Sequence, residues 1–169
     1  LGPVGSENPA PMASLASEFG LAFGNGYLYN MADNANNYRS IYATPTGESN
    51  LTRDVDRVVI REGTPVQGGE PLITGSDGTT LSTTRETGTY AVAARSGNVT
   101  AIGDTSFLTE TSYQRADNEV LTARVLDFLV SGETAPDLFE EEPPEEPTDG
   151  EPAMPGEPER PPEAPRPVE

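Results

Sequence analysis

Between residues 98 and 132 the apolar positions fall into two rhythms. Val99 to Ile102 is a short β-branched and apolar run between Ser96-Gly97-Asn98 and Gly103-Asp104. Its length and flanking turn residues predict a buried strand. Further on, Leu121, Val125, Phe128 and Leu129 follow i, i+4, i+7, i+8 spacing. They share one face of a predicted helix over Asn118–Val130. Asp117 suits its N-cap, Glu119 places negative charge in the first turn, and Gly132 is a natural stop. The unit is strand, polar loop, helix, which predicts an α/β architecture. In such folds ligands gather in loops at the carboxyl ends of strands, here residues 103–117.

Upstream the same reading gives shorter elements. Met12, Leu15, Ala16 and Phe19 mark a helix over Met12–Phe19 that Gly20 ends. Leu21–Phe23 and Tyr27–Tyr29 flank the turn signal Gly24-Asn25-Gly26. Residues Asn30 to Ser40 form an Asn-rich polar loop, followed by a strand at Ile41–Ala43. Val58-Val59-Ile60 reads as a strand buried on both faces, which calls for helices on both sides of a sheet. Leu72–Thr74 and Tyr90–Arg95 are strands, Thr79–Thr84 a strand or loop, and Ser96-Gly97-Asn98 joins the last two strands as a hairpin.

From Glu133 onward the pattern disappears. This segment holds 11 of the 17 prolines and 13 of the 28 acidic residues, with Arg160 and Arg166 as its only cations. It has too little apolar surface to offset its ordering entropy, so it is expected to be a disordered acidic tail or linker. The chain therefore divides into a body, 1–132, and a tail, 133–169.

Composition narrows the function more than it names it. Against 28 acidic residues stand 10 basic ones, all Arg, for a net charge of −18. That balance argues against nucleic-acid binding, which needs a basic footprint, and against direct docking on anionic membranes. The chain has no His and no Cys. Ser-His-Asp and Cys-His catalysis are therefore closed to it, as are His/Cys zinc sites, and no catalytic residue, metal or cofactor is expected. Carboxylates with Arg as the sole cation suit a protein working in molar salt. Asn50-Leu51-Thr52 and Asn98-Val99-Thr100 fit the N-glycosylation pattern, in keeping with an exported protein.

The blocks Gly103-Asp104-Thr105-Ser106-Phe107-Leu108 and Asp117-Asn118-Glu119, followed by the last helix, carry a resemblance. So do Phe19-Gly20, Phe23-Gly24-Asn25-Gly26-Tyr27-Leu28 and Pro45 with Leu51-Thr52. In this order they resemble an uncharacterised haloarchaeal domain family of the class I glutamine amidotransferase-like superfamily, over roughly Ser14 to Gly132. The resemblance implies a Rossmann-like three-layer sandwich known from exported or membrane-linked proteins. The early strands and helices of that fold are not found here, so the body is expected to be its carboxyl-terminal part, with residues before Leu1 supplying the missing layer. The superfamily's active members use a Cys and a His, so amidotransferase activity does not carry over.

Four residues are the candidate ligand contacts: Asp104, Ser106, Asp117 and Asn118. Asp104 follows a strand end, and Asp104-Thr105-Ser106 partly matches the Asp-x-Ser-x-Ser metal motif of adhesion domains, with Leu108 in place of the last Ser. The competing reading is that Asp104 and Asp117 cap backbone N–H groups. The Asn-rich loop, with Tyr27, Tyr29, Tyr38 and Tyr42 nearby, could hold a sugar or peptide, or be a plain surface loop. The reading these observations favour is a non-catalytic interaction or ligand-binding domain of an exported or membrane-associated halophilic archaeal protein, part of a larger membrane-linked assembly. The alternatives are a carboxylate-based hydrolase centred on Asp104, or a structural cell-surface segment with the tail as stalk.

Overall fold

A computed structural model describes residues 10–131, with side chains from 12 onward. In chain order the elements are α1 (Ala10–Glu18), β1 (Ala22–Phe23), β2 (Leu28–Tyr29), β3 (Ser40–Pro45), β4 (Val58–Arg61), β5 (Val66–Gln67), β6 (Glu70–Gly75), β7 (Thr80–Leu81), β8 (Ala91–Ser96) and β9 (Val99–Ile102). A 3₁₀ turn (Ser106–Leu108), α2 (Glu110–Tyr113) and α3 (Asn118–Ser131) follow.

The strands form a five-stranded sheet in the order β4-β3-β6-β8-β9 and two ribbons, β1–β5 and β2–β7. Every pairing among these strands is antiparallel. The expected Rossmann-like three-layer α/β sandwich is therefore wrong: this is a mostly β fold with small helices. Parallel neighbours need crossover connections, usually helical, and no helix lies between β3 and β9. Between β3 and β9 this chain instead has turns rich in Gly, Thr and Pro, such as Ser96-Gly97-Asn98, which joins β8 to β9 with Gly97 at φ 56°.

Period-two alternation explains the core. On β8 and β9 the pair Ala93–Ile102 faces Phe107, Leu121 and Val125 in the main core, under α3. The next pair, Ala94–Ala101, points the other way, into a second cluster with Ala16, Leu21 and Val66. On β3 and β4 the core face carries Ile41, Ala43, Val58 and Ile60. Val59 points to the opposite face and is still only 3% exposed. Continuous burial of Val58-Val59-Ile60 was the reason to expect helices on both sides. The cover over Val59 is instead the Asn-rich loop and the connection from α2 to α3. The antiparallel arrangement removes the need for a second helical layer.

Several boundaries agree with the pattern: β9 spans Val99–Ile102 and α3 begins at Asn118. Gly20, at φ 68°, follows the end of α1 as a left-handed stop. The Gly24-Asn25-Gly26 turn does not make a hairpin, because β1 pairs with β5 and β2 with β7. The 3₁₀ turn and α2 occupy what reads as a polar loop. The expected disordered tail, 133–169, lies outside the described residues.

Candidate functional site

Asp104, Ser106, Asp117 and Asn118 converge on one feature, the outer edge of β4. An edge strand presents unpaired N–H and C=O groups, and here side chains close them off. The backbone N–H groups of Asp56 and Arg57 both donate to Asp117 Oδ2 at 2.9 Å. The Asp117 N–H donates to the Arg57 carbonyl at 2.9 Å. Asn118 serves both groups of Val59: its Oδ1 accepts the N–H at 2.9 Å and its Nδ2 donates to the carbonyl at 3.1 Å. At the far end the Arg61 N–H donates to Asp104 Oδ2 at 2.9 Å. The other Asp104 oxygen accepts the Ser106 N–H at 2.7 Å, and Ser106 Oγ donates to Oδ2 at 2.5 Å.

Asp117 is therefore an N-cap in its backbone alone. Its carbonyl accepts the Leu121 N–H, the first bond of α3, while its carboxylate crosses to β4. Asp104 is 1% exposed and Asn118 is fully buried. Both carboxylates and the amide bond to backbone partners, the geometry that the capping reading calls for.

The same closed edge positions another set of side chains, missed in the sequence. Arg57, Val59 and Arg61 are spaced i, i+2, i+4, so they share the outer face of β4. Directly across the ladder, Tyr42 pairs with Val59 and Ser40 with Arg61. This face floors two adjoining cavities of about 280 and about 370 Å³. Both are bounded by Ala35, Asn36, Val59 and Arg115, so they form one cleft between the Asn-rich loop and the α2–α3 connection. Arg61 lies in one half and Arg57 in the other.

Two of the three arginines are held in place. The Arg57 guanidinium lies 3.8 Å from the centre of the Tyr42 ring, a cation–π distance. Arg115 spans the cleft: Nε donates to the Thr111 carbonyl at 3.1 Å and Nη1 to the Ala35 carbonyl at 3.4 Å. Within the Asn-rich loop, Asn30 and Asn34 build the turn itself. Asn30 Oδ1 accepts the N–H groups of Ala32 and Asp33, and Asn34 Nδ2 donates to the Asn30 carbonyl. Asn36, exposed and at φ 78°, is left to the cleft.

The tyrosines near this loop are partly covered by cations. The Arg39 guanidinium lies 5.0 Å from the Tyr27 ring centre and 5.5 Å from that of Tyr38. Arg39 is also paired with Glu62 at 2.7 Å. The hydrogen bonds to Glu62 and Tyr38 hold its guanidinium above the ordinary arginine range. Among the described residues no group of three or more acidic or other ligating side chains could hold a metal ion. Of the two N-glycosylation patterns, Asn50 is exposed, whereas Asn98 Nδ2 is enclosed and has no hydrogen-bond partner among the described residues.

Comparison with protein-family models, curated proteins and solved structures returns no significant match.

Proposed function

We propose that this chain is a non-catalytic interaction or ligand-binding domain, and that the cleft over the outer face of β4 is its binding surface. One observation carries the reading. The two candidate carboxylates, Asp104 and Asp117, are bound to backbone, while a cleft lined by Arg, Asn, Ser and Thr stays open to solvent. Guanidinium groups stay protonated at any physiological pH, so they bind and orient but do not shuttle protons. The Lys-free acidic composition, and Asn50 exposed at the head of an Asn50-Leu51-Thr52 pattern whose other two residues are buried, support a source in a halophilic, exported or membrane-associated protein.

The test is amide chemical-shift mapping on the ¹⁵N-labelled full chain, titrated with small oxyanions and with small neutral sugars and amides. Saturable shifts at Ala35, Asn36, Val59 and Arg115 are expected with at least one probe. Shifts confined to other surfaces, or turnover of an ester panel that Asp104→Asn abolishes, would overturn the reading.

A further inference from the structure

We infer that the cleft selects an oxyanion, a carboxylate or sulfate group on a compact ligand with few charges, gripped by Arg57, Arg61 and Arg115. The inference rests on the proposal that this cleft is the binding surface.

Charge accounting is the first argument. Before residue 133 the chain holds 15 acidic residues against 8 Arg, a net of −7. Arg39 is paired with Glu62, and Arg124 with Asp54 and Asp127. The other six, Arg57, Arg61 and Arg115 on the cleft among them, make no ion pair among the described residues. None of the residues lining either half of the cleft is acidic. It is a locally cationic hollow on an anionic surface.

Preorganisation is the second. Stacking on Tyr42 fixes Arg57, and the two carbonyl bonds fix Arg115 across the opening. The backbones of Arg57 and Arg61 are pinned by Asp117 and Asp104. Groups already ordered lose little entropy when a ligand arrives. A guanidinium offers a planar fork matched to two oxygens of one carboxylate or sulfate, a geometry that neutral ligands do not exploit. Asn37 adds to this, since its Oδ1 already accepts the Arg39 N–H and its Nδ2 remains as a donor.

Size and field set the upper limit on the ligand. Each half of the cleft holds a few hundred cubic ångströms, the scale of a small molecule. The whole chain, at −18, repels long polyanions, so a polyanionic strand or an anionic membrane is disfavoured and a ligand of one to three charges is favoured.

The experiment uses the full chain at fixed ionic strength, balanced with KCl, with citrate, inorganic sulfate and glucose as probes read by amide shifts. Citrate or sulfate should saturate the cleft resonances while glucose leaves them unmoved; the two anions separate carboxylate from sulfate preference. Arg57→Gln and Arg61→Gln should each weaken anion binding by about tenfold or more, because a charge-assisted hydrogen bond is removed. Their unchanged melting temperatures would show that the fold is intact. Glucose binding in the cleft without either anion would sink the oxyanion inference and leave the binding surface standing. No probe binding there at all would sink both. Anion binding unchanged in both Gln variants would overturn the assignment to these arginines.

Discussion

The side-chain amide of Asn118 pairs with the backbone of Val59 as a neighbouring strand would. It accepts from the N–H at 2.9 Å and donates to the carbonyl at 3.1 Å. A second Nδ2 bond, 2.9 Å to the Ser112 carbonyl, ties the strand edge to α2. One buried residue therefore ends the sheet, starts α3 and places a wall of the cleft.

Removing it should be severe. Asn118→Ala leaves the Val59 N–H and C=O and the Ser112 carbonyl without their partner, in a site closed to water. Each unmatched buried group costs about 1–3 kcal/mol, so the variant should lose roughly 3–4 kcal/mol, read by chemical denaturation. Asn118→Asp keeps the acceptor, loses both donated bonds and buries a charge, so it should be no better. A loss below about 1 kcal/mol in both variants would show that the edge does not depend on this amide.

Asp104 separates the capping and hydrolase readings. Its Oδ2 serves the Arg61 N–H and Ser106 Oγ, and its Oδ1 serves the Ser106 N–H. Asp104→Asn replaces one acceptor by a donor, so one backbone N–H faces an N–H₂. The expected loss is on the order of 1–2 kcal/mol of stability, with no turnover to lose. An unchanged melting temperature accompanied by loss of a measured hydrolysis would make Asp104 catalytic.

What the sequence showed and what it concealed follow from the same edge. The blocks around Asp104 and Asp117-Asn118 stood out because polar residues at strand and helix ends are where both caps and ligand contacts occur. Sequence cannot tell whether such side chains face a ligand or their own backbone, since both uses need the same atoms. The antiparallel topology was hidden for a related reason. Val58-Val59-Ile60 reads alike whether its second face meets a helix or, as here, a loop around Ala35 and Asn36. The cleft joins residues 35–37, 57–61 and 111–115, which no local pattern links. Its one trace is the alternation Arg57-x-Val59-x-Arg61, which puts two cations on one strand face.

Glycine positions test the packing on the far side of the Gly103–Asp104 corner. A Cβ on Gly103 would overlap the carbonyl oxygen of Thr64, whose own N–H donates to the Gly103 carbonyl at 2.9 Å. Backbone cannot move aside as a side chain can, so Gly103→Ala should lose about 3 kcal/mol. Gly47 has nothing within 4 Å of such an atom, and Gly47→Ala should be close to neutral. Equal melting temperatures for the two variants would mean that the Thr64–Gly103 contact is looser than described.

The last prediction concerns salt. The body carries a net of −7, from 15 acidic residues against 8 Arg, and the full chain −18. Only Arg39 and Arg124 form ion pairs among the described residues, so most surface carboxylates have no cation beside them. At about 0.01 M salt the screening length is roughly 30 Å, comparable with the domain, and the carboxylates repel one another across it. At about 1 M it shrinks to roughly 3 Å, and only adjacent charges still interact. The paired Arg39 and Arg124 lose some attraction over the same range, but exposed pairs contribute only about 0–1 kcal/mol each, so relief of repulsion dominates. The melting temperature of the full chain, followed by circular dichroism from about 0.05 to about 3 M KCl, should therefore rise up to about 0.5 M, where simple screening is nearly complete, and a continued rise beyond that is what the halophilic reading requires, through salt excluded from the surface strengthening apolar burial. A flat or falling trend would remove the halophilic reading. A rise that stops near 0.5 M would reduce it to ordinary charge screening in an acidic protein.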